Sequence, residues 1–239
     1  MTHWTRIVLA GFTLLAGCRS TPPQAPARQE TPSPRPDERR RPHRNRERNA
    51  QARFDFYVMS MSWSPGFCAT PAGRHDDLQC GPQRHYGFVL HGLWPQYEER
   101  GWPQDCSTEP LDQQLVEKML TIMPSPKLVR HEWTKHGTCS GLSSKDYFDE
   151  ATSAYHSVTV PANYQTPVKQ VMVDPQVMQR EFASANPSFP ADSFVVLCNG
   201  RYLQEVRACL TKDLAGRPCN REVLRSACRS REIIMRPVR

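Results

Sequence analysis

The stretch HYGFVLHGLW, residues 85–94, is an apolar run closed by Pro82 on one side and Pro95 on the other. A bounded apolar run of this kind reads as a buried β-strand. His91 sits near its end, between Leu90 and Gly92; taken alone, a histidine there is more often a satisfied core residue than a reactive one. Upstream, FDFYVMSMSW (54–63) alternates well enough for a second strand. Downstream, LDQQLVEKMLTIM (111–123) has apolar residues at 111, 115, 116, 119 and 122, a helical spacing stopped by Pro124. SPKLVRHEWTKHG (125–137) reads as a helix closed by glycine. SKDYFDEATSAYHS (144–157) and DPQVMQREFASAN (174–186) are further helices, each opening near Ser or Asp, while SFVVLCN (193–199), RYLQEVRACL (201–210) and REIIMRP (231–237) read as strands. Strands and helices mix without a regular βαβ alternation. The expected class is therefore α+β, with a central, largely antiparallel sheet and packed helices.

Length and charge narrow the possibilities. The chain has 239 residues, which suits one domain or two small ones. Its formal charge of +7 is local: residues 19–53 hold ten arginines against four acids and Arg6 adds one more, leaving 20 basic and 20 acidic side chains in residues 54–239. The basic balance belongs to a tail and is weak support for a nucleic-acid-binding fold. Residues 19–53 also hold seven prolines and almost no apolar residues, so they cannot bury enough surface to fold. They are expected to form a disordered tether, stiffened by proline and extended by charge. No internal repeat is visible. No apolar stretch of about 18 residues follows the N-terminus, which excludes a polytopic membrane protein.

Residues 1–18, MTHWTRIVLAGFTLLAGC, place one basic residue and an apolar run from Ile7 to Ala16 before a cysteine. That is the pattern of an export signal, too short to span a membrane. The Leu-Ala-Gly-Cys ending resembles the bacterial lipobox, in which the cysteine is acylated, so the expectation is a lipoprotein signal peptide with Cys18 as the lipidation site. An ordinary cleaved signal is the alternative. Arg19 rather than Asp follows, which by resemblance to sorting in Gram-negative envelopes favours the outer membrane. The expected location is the periplasm, with the lipid anchor as the membrane contact. Of nine cysteines, eight then remain, an even number that suits an oxidising compartment and about four disulfides.

Two segments carry chemistry: YGFVLHGLWPQ (86–96) and HEWTKHGTC (131–139). At about 100° per residue, positions 131, 132, 135 and 136 of a helix fall within roughly 140° of arc. His131, Glu132, Lys135 and His136 then share one face, with Trp133 and Thr134 turned toward the core. Two imidazoles, an ammonium and a carboxylate on one stripe fit a reacting site, although a charged surface helix has the same composition. A metal site fits less well. HExxxH differs by one residue from the HExxH of zinc proteases, and the i,i+5 spacing separates the imidazoles by roughly 140° where i,i+4 would bring them together. Lys135 between them repels a cation. Neither metal nor cofactor is expected.

HGLWP (91–95), followed 40 residues later by HEWTKHGTC, closely resembles the two active-site segments of the T2 ribonuclease family, in its bacterial lipoprotein form. SWSPGFC (62–68) resembles a third segment, and the likeness spans about residues 54–235. The resemblance implies a single T2-type ribonuclease domain over residues 54–239, an endoribonuclease that cleaves single-stranded RNA without metal. A base removes the 2′-hydroxyl proton, the oxygen attacks the adjacent phosphorus, and an acid protonates the leaving 5′-oxygen, giving a 2′,3′-cyclic phosphate and then a 3′-phosphate. Imidazoles can serve as both acid and base near neutral pH, and an ammonium can stabilise charge on the phosphoryl oxygens. The resemblance makes His136 the base and His91 the acid, labels that a sequence leaves interchangeable, and assigns Lys135, Glu132 and His131 to the phosphate. Trp94 would stack on a base, with core packing its alternative role, and Tyr97 would extend the platform. Some family members carry an acid or amide after the Trp-Pro pair; Gln96 stands there, and low base specificity is the expectation.

Cys106 and Cys139 lie where the family has a bridge, and Cys68–Cys80 is expected as a local pair. For Cys198, Cys209, Cys219 and Cys228 three connectivities exist, of which the nested Cys198–Cys228 and Cys209–Cys219 is favoured. The implied partner is single-stranded RNA; no protein partner is implied, and a monomer is expected. Two other readings stand beside this one: a non-catalytic envelope lipoprotein whose Arg-rich tail binds anionic polymers, and a metal-dependent hydrolase.

Overall fold

The fold is described from a computed structural model over residues 53–238. The expected export signal with Cys18, and the expected tether up to residue 52, lie outside the described residues. Among those described, six strands and seven helices follow in the order β1 (Phe56–Trp63), α1 (Ser64–Cys68), α2 (Asp77–Cys80), β2 (Phe88–Gln96), α3 (Gln113–Met119), α4 (Pro126–Lys135), α5 (Ser144–Ser157), β3 (Val171–Val173), α6 (Pro175–Ala185), β4 (Phe194–Asn199), β5 (Tyr202–Leu210), α7 (Arg221–Arg225) and β6 (Ile233–Met235). The strands form one sheet in the order β2-β1-β5-β6-β3, with β4 also paired to β5. The β5–β6 contact is parallel and the other pairings are antiparallel. The α+β class with a largely antiparallel sheet is the one the strand and helix patterns predict.

The alternation of β1 gives the sheet two unlike faces. Tyr57, Met59, Met61 and Trp63 point one way, into the main core, where α3 to α6 bury Val116, Val129, Phe148 and Phe182. Phe56 and Val58 point the other way, into a smaller cluster with Val195, Leu197 and Cys209. Successive side chains of a strand alternate in this manner. Ser60 and Ser62 continue the second face with small polar side chains, and the site is built over them.

Three local expectations are corrected. β2 runs through Pro95 to Gln96, where a stop was expected at Pro95. As an edge strand β2 pairs with β1 alone, so the missing N–H of Pro95 removes no ladder bond from a second neighbour. The helix expected over 111–123 begins only after Asp112, whose side chain accepts from the Gln114 N–H, and ends at Met119. In α4, Thr134 is exposed rather than turned to the core, and Glu132 is buried. The buried stripe there is Val129, Glu132 and Trp133, an i, i+3, i+4 set that carries Glu132 inward and Thr134 outward.

Four disulfides staple the domain: Cys68–Cys80, Cys106–Cys139, Cys198–Cys228 and Cys209–Cys219. They are the pairs favoured above, the last two nested. Cys106–Cys139 closes a 33-residue interval and ties the loop after β2 to the turn that follows α4. Among the described residues no helix is long and apolar enough to cross a membrane.

Candidate active site

The pairing of β1 with β2 shifts register at one point: Ser60 faces Gly92 and Met61 faces Leu90. His91 is therefore the extra residue of a β-bulge, a device that re-aims a side chain. Across the sheet, Ser62 and Ser60 of β1 face Glu205 and Arg207 of β5. Residues two strands apart stand roughly 10 Å from each other, and only these two serines intervene. His91 thus reaches over β1, bringing its Nδ1 within 3.2 Å of Glu205 Oε2. Its Nε2 lies 3.8 Å from Glu132 Oε1. The second oxygen of Glu205 accepts from Arg207 Nε at 2.8 Å, with Arg207 Nη2 2.5 Å away.

Helix α4 supplies the opposite wall. Ser125 caps it, its Oγ accepting from the Leu128 N–H at 3.4 Å, and Pro126 opens it. Helical geometry stops at Lys135. His136 is the C-cap, and the chain then tightens into a 3₁₀ turn over Gly137–Cys139. A Cβ at Gly137 would lie 2.5 Å from the Trp133 ring and 2.8 Å from that of Tyr147, so only glycine lets this turn pack down. The bend leaves His136 buried, with its Nδ1 lacking any hydrogen-bond partner among the described residues.

Trp94 stands between the two histidines, its ring 5.1 Å from that of His91, edge to face, and 5.6 Å from that of His136. Its Nε1 donates to Glu132 Oε2 at 2.6 Å, and the Arg207 guanidinium lies 5.0 Å from its ring centre. Gly92 permits this approach: a Cβ there would fall 2.0 Å from Glu132 Oε2 and 2.4 Å from Trp94 Nε1.

The electrostatics separate the two imidazoles. Burial pushes His91 down, but its hydrogen bond to Glu205 and the charges of Glu132 and Glu205 outweigh that, so its pKa lies above 6.5. For His136, burial and the charges of Lys135, His131 and His91 act together and lower it to about 3. Burial raises Glu132 to about 7 against the opposing pull of His91, Trp94 and Lys135. Glu205 moves the other way: burial raises it, yet the His91 hydrogen bond and Arg207 bring it to about 2. An ionised carboxylate only accepts, so Nδ1 of His91 carries the proton shared with Glu205. Burial and then Lys135 lower His131.

Of the residues singled out in the sequence, His91, Trp94, Glu132 and His136 come together. Lys135 is half-buried and its charge bears on Glu132, His131 and His136. His131 is exposed at the rim, its ring 6.5 Å from that of His136. Gln96 is buried, its Nε2 donating to the carbonyl of its neighbour Pro95 at 3.0 Å. Tyr97 is exposed on the loop beyond, where its N–H bonds to Gly101 O and its carbonyl accepts from Asn220. Glu205 and Arg207 were not singled out. The signal available was a pair of opposite charges at i, i+2 in a strand otherwise apolar but for Gln204. Beside His91 a cleft of about 400 Å³ opens, lined by Ser62, Val89, Ser125, Leu128 and Glu205 among others. Among the described residues no group of three or more His, Cys, Asp or Glu side chains is placed to hold a metal ion.

The chain has relatives among known proteins. A ribonuclease of Aeromonas hydrophila is 50% identical over 99 residues, which are 41% of this chain and 44% of that protein. A probable ribonuclease of Haemophilus influenzae is 35% identical over 126 residues, 47% of this chain and 46% of the relative. The chain thus matches about half the length of these relatives. Among solved structures, the RNase-related protein from Calystegia sepium superposes with a TM-score of 0.61 at 22% identity, covering 77% of this chain and 97% of that one. Trichomaglin, described as an S-like ribonuclease, gives a TM-score of 0.63 at 18% identity over 78% of this chain and 99% of its own. At such identities the likeness speaks to the fold. The sequence pattern of the Ribonuclease T2 family matches residues 54–219, the span that holds the bulged histidine, the Trp94 spacer, helix α4 and the β5 charge pair, and the chain belongs to that family.

Proposed function

We propose that the domain is an endoribonuclease that cleaves single-stranded RNA by transphosphorylation, with His91 as acid and His136 as base. The observation that carries this reading is the asymmetry of the two imidazoles flanking Trp94. His91 is held by an ionised carboxylate and favours its cationic form. His136 is buried without a partner at Nδ1 and favours its neutral form. A proton donor and a proton acceptor on either side of one indole are the complement an in-line displacement at phosphorus needs.

Neutral His136 takes the 2′-hydroxyl proton as the 2′-oxygen bonds to phosphorus. The P–O5′ bond breaks, and His91 gives its proton to O5′. The 2′,3′-cyclic phosphate is then opened by water with the roles of the histidines reversed, leaving a 3′-phosphate. An imidazole at about 3 is a feeble base on its own; the arriving phosphate anion raises it, because opposite charge favours the protonated form. Lys135 neutralises charge growing on the non-bridging oxygens, the contribution that is commonly the largest. A carboxyl held near 7 can sit beside the phosphate in its protonated form and donate to it, which suits Glu132. Rim-exposed His131 meets the flanking backbone. No step requires a metal.

The cleft beside His91 has a volume that suits a nucleoside. Trp94 already has its N–H and one ring contact committed to Glu132 and Arg207, which favours a role as spacer between the histidines over a free stacking platform. Low base specificity fits the buried, self-occupied amide of Gln96. For the N-terminal segment, our reading is export to the periplasm with acylation at Cys18, and Cys18→Ser should move the protein out of the membrane fraction. The catalytic reading is tested with purified domain on single-stranded RNA and on DNA of the same sequence, with excess EDTA: RNA alone should be cut. Loss of activity in EDTA with recovery on added zinc would point to the metal-dependent hydrolase instead.

A further inference from the structure

We propose that Glu205 and Arg207 of β5 are a positioning pair for His91, gripping its imidazole through Nδ1 so that Nε2 faces the reacting phosphate. This inference rests on the reading of His91 as the acid.

The geometry has three parts. First, His91 lies at a β-bulge on an edge strand, the position in the sheet with the least support from its own ladder. A bulged side chain needs an anchor, and the anchor comes from β5, which pairs with β1, β4 and β6. Secondly, that anchor is itself fixed. Glu205 is buried, one oxygen taken by His91 Nδ1 at 3.2 Å and the other by Arg207 Nε at 2.8 Å. Thirdly, Arg207 reaches beyond Glu205 to lie over Trp94 at 5.0 Å, a cation–π contact, while Trp94 holds Glu132. A single guanidinium thus sets the carboxylate that orients the acid and the indole that spaces the acid from the base. The serines of β1 make this possible: a larger side chain at 60 or 62 would stand between His91 and Glu205.

The groups facing His91 are Glu205 and Arg207 from β5 and Glu132 from α4, with Lys135, His131 and the C-cap His136 on the far wall; β1 presents only its serines. Two carboxylates therefore oppose burial and the nearby cations. Of the two, Glu205 makes the hydrogen bond. Because Glu205 occupies Nδ1, the transferable proton of His91 sits on Nε2. Nε2 is also the nitrogen directed toward Glu132, at 3.8 Å.

The experiment reads His91 directly. Its Cε1–H NMR signal, identified by its disappearance in His91→Phe, is titrated in wild type and in Glu205→Gln, which keeps the shape and removes the charge. The expected result is a fall in the His91 pKa of about one to three units, the usual effect of an adjacent opposite charge. The alkaline limb of kcat/KM on RNA should move down with it, so that Glu205→Gln is nearest to wild type around pH 5 and furthest from it around pH 8. Glu205→Asp, which retains the charge but withdraws it, should fall between. Should Glu205→Gln fail to fold because Arg207 loses its countercharge, Glu205→Gln/Arg207→Gln leaves no unpaired charge; because Arg207 itself lowers His91, the comparison is then with Arg207→Gln alone, against which the double variant should show the fall. A mere structural prop would lower Tm and leave the titration in place, and that result overturns the proposal. A wild-type domain that fails to cut RNA overturns the catalytic reading of His91, while the NMR titration still decides the Glu205–His91 coupling.

Discussion

Replacing Gly92 with alanine should disable the site while leaving the fold intact. The added methyl would sit 2.0 Å from Glu132 Oε2, where ordinary contact begins near 3.4 Å. The obstacles are side chains, the Glu132 carboxylate and, at 2.4 Å, the Trp94 indole, so both partners of the site's central hydrogen bond are pushed. The carboxylate must withdraw by more than 1 Å, and a shift of that size breaks the 2.6 Å bond from Trp94 Nε1. Misplacing a reacting group by about 1 Å costs about 10²-fold in rate, so kcat/KM on RNA should fall by that order. The lost hydrogen bond is worth about 0.5–1.5 kcal/mol. At about 2–4 °C per kcal/mol for a domain of this size, Tm should drop by about 1–6 °C. The assay pairs initial rates on a fluorogenic single-stranded RNA with thermal unfolding of the same samples. Activity within threefold of wild type, with Tm unchanged, would mean that Glu132 and Trp94 do not depend on the close approach at Gly92, and the packing argument for the site would fail.

The pH dependence should be a broad plateau. His91, raised above 6.5, is protonated and competent below that value and loses its proton above it, while His136, lowered to about 3, is neutral throughout. The activity of kcat/KM should therefore decline on the alkaline side of 6.5, with the acid limb far below; a steep acid limb near 6 would refute the assignment of the neutral base. His91→Phe and His136→Phe should each lose at least about 10²–10⁴-fold, the range of general acid–base catalysis, and the double variant should lose much less than the product of the two, since residues acting as a unit are not additive. A loss of only a few-fold in either would remove that histidine from the mechanism. Cys106→Ala/Cys139→Ala opens the 33-residue loop and should cost about 4 kcal/mol by loop-closure entropy, measurable in urea; a change under about 1 kcal/mol would show that the bridge does not constrain the unfolded chain.

What the sequence made legible, and what it hid, follows physical lines. The helices α4, α5 and α6 carry patterns of period 3.6 that their burial follows, while β1 and β2 are buried at nearly every position and were legible as a strand-like run and a bounded apolar run. The helices α1, α2 and α7, and the three-residue β3, are too short to print a period. Pro95 misled because a sequence does not say which strand lies at an edge. Glu132 was legible as part of the site but not as buried, since its charge masked its place between Val129 and Trp133 on the inward stripe. Glu205 was hidden more deeply: its role depends on a bulge two strands away and on two serines between, none of which is local to RYLQEVRACL. His91 itself stood out through the likeness of HGLWP to a known family segment, not through any local pattern. Among the described residues, the site's cations are Lys135, Arg207 and protonated His91.

The central claim is that the substrate's own 2′-oxygen is the nucleophile, and the most direct measurement is the chemistry of the product ends on a DNA oligonucleotide containing a single ribonucleotide. If His136 accepts the 2′-hydroxyl proton and His91 protonates the leaving oxygen, cleavage should occur once, immediately 3′ to the ribose. It should leave a 2′,3′-cyclic phosphate on the upstream fragment and a free 5′-hydroxyl on the downstream one, both visible by mass spectrometry, and a 2′-O-methyl version should bind through its phosphates yet stay whole. Cuts at deoxyribose positions, cleavage of the 2′-O-methyl substrate, or a fresh 5′-phosphate on the downstream fragment would mean that water attacks first, and the account of the two histidines would be wrong.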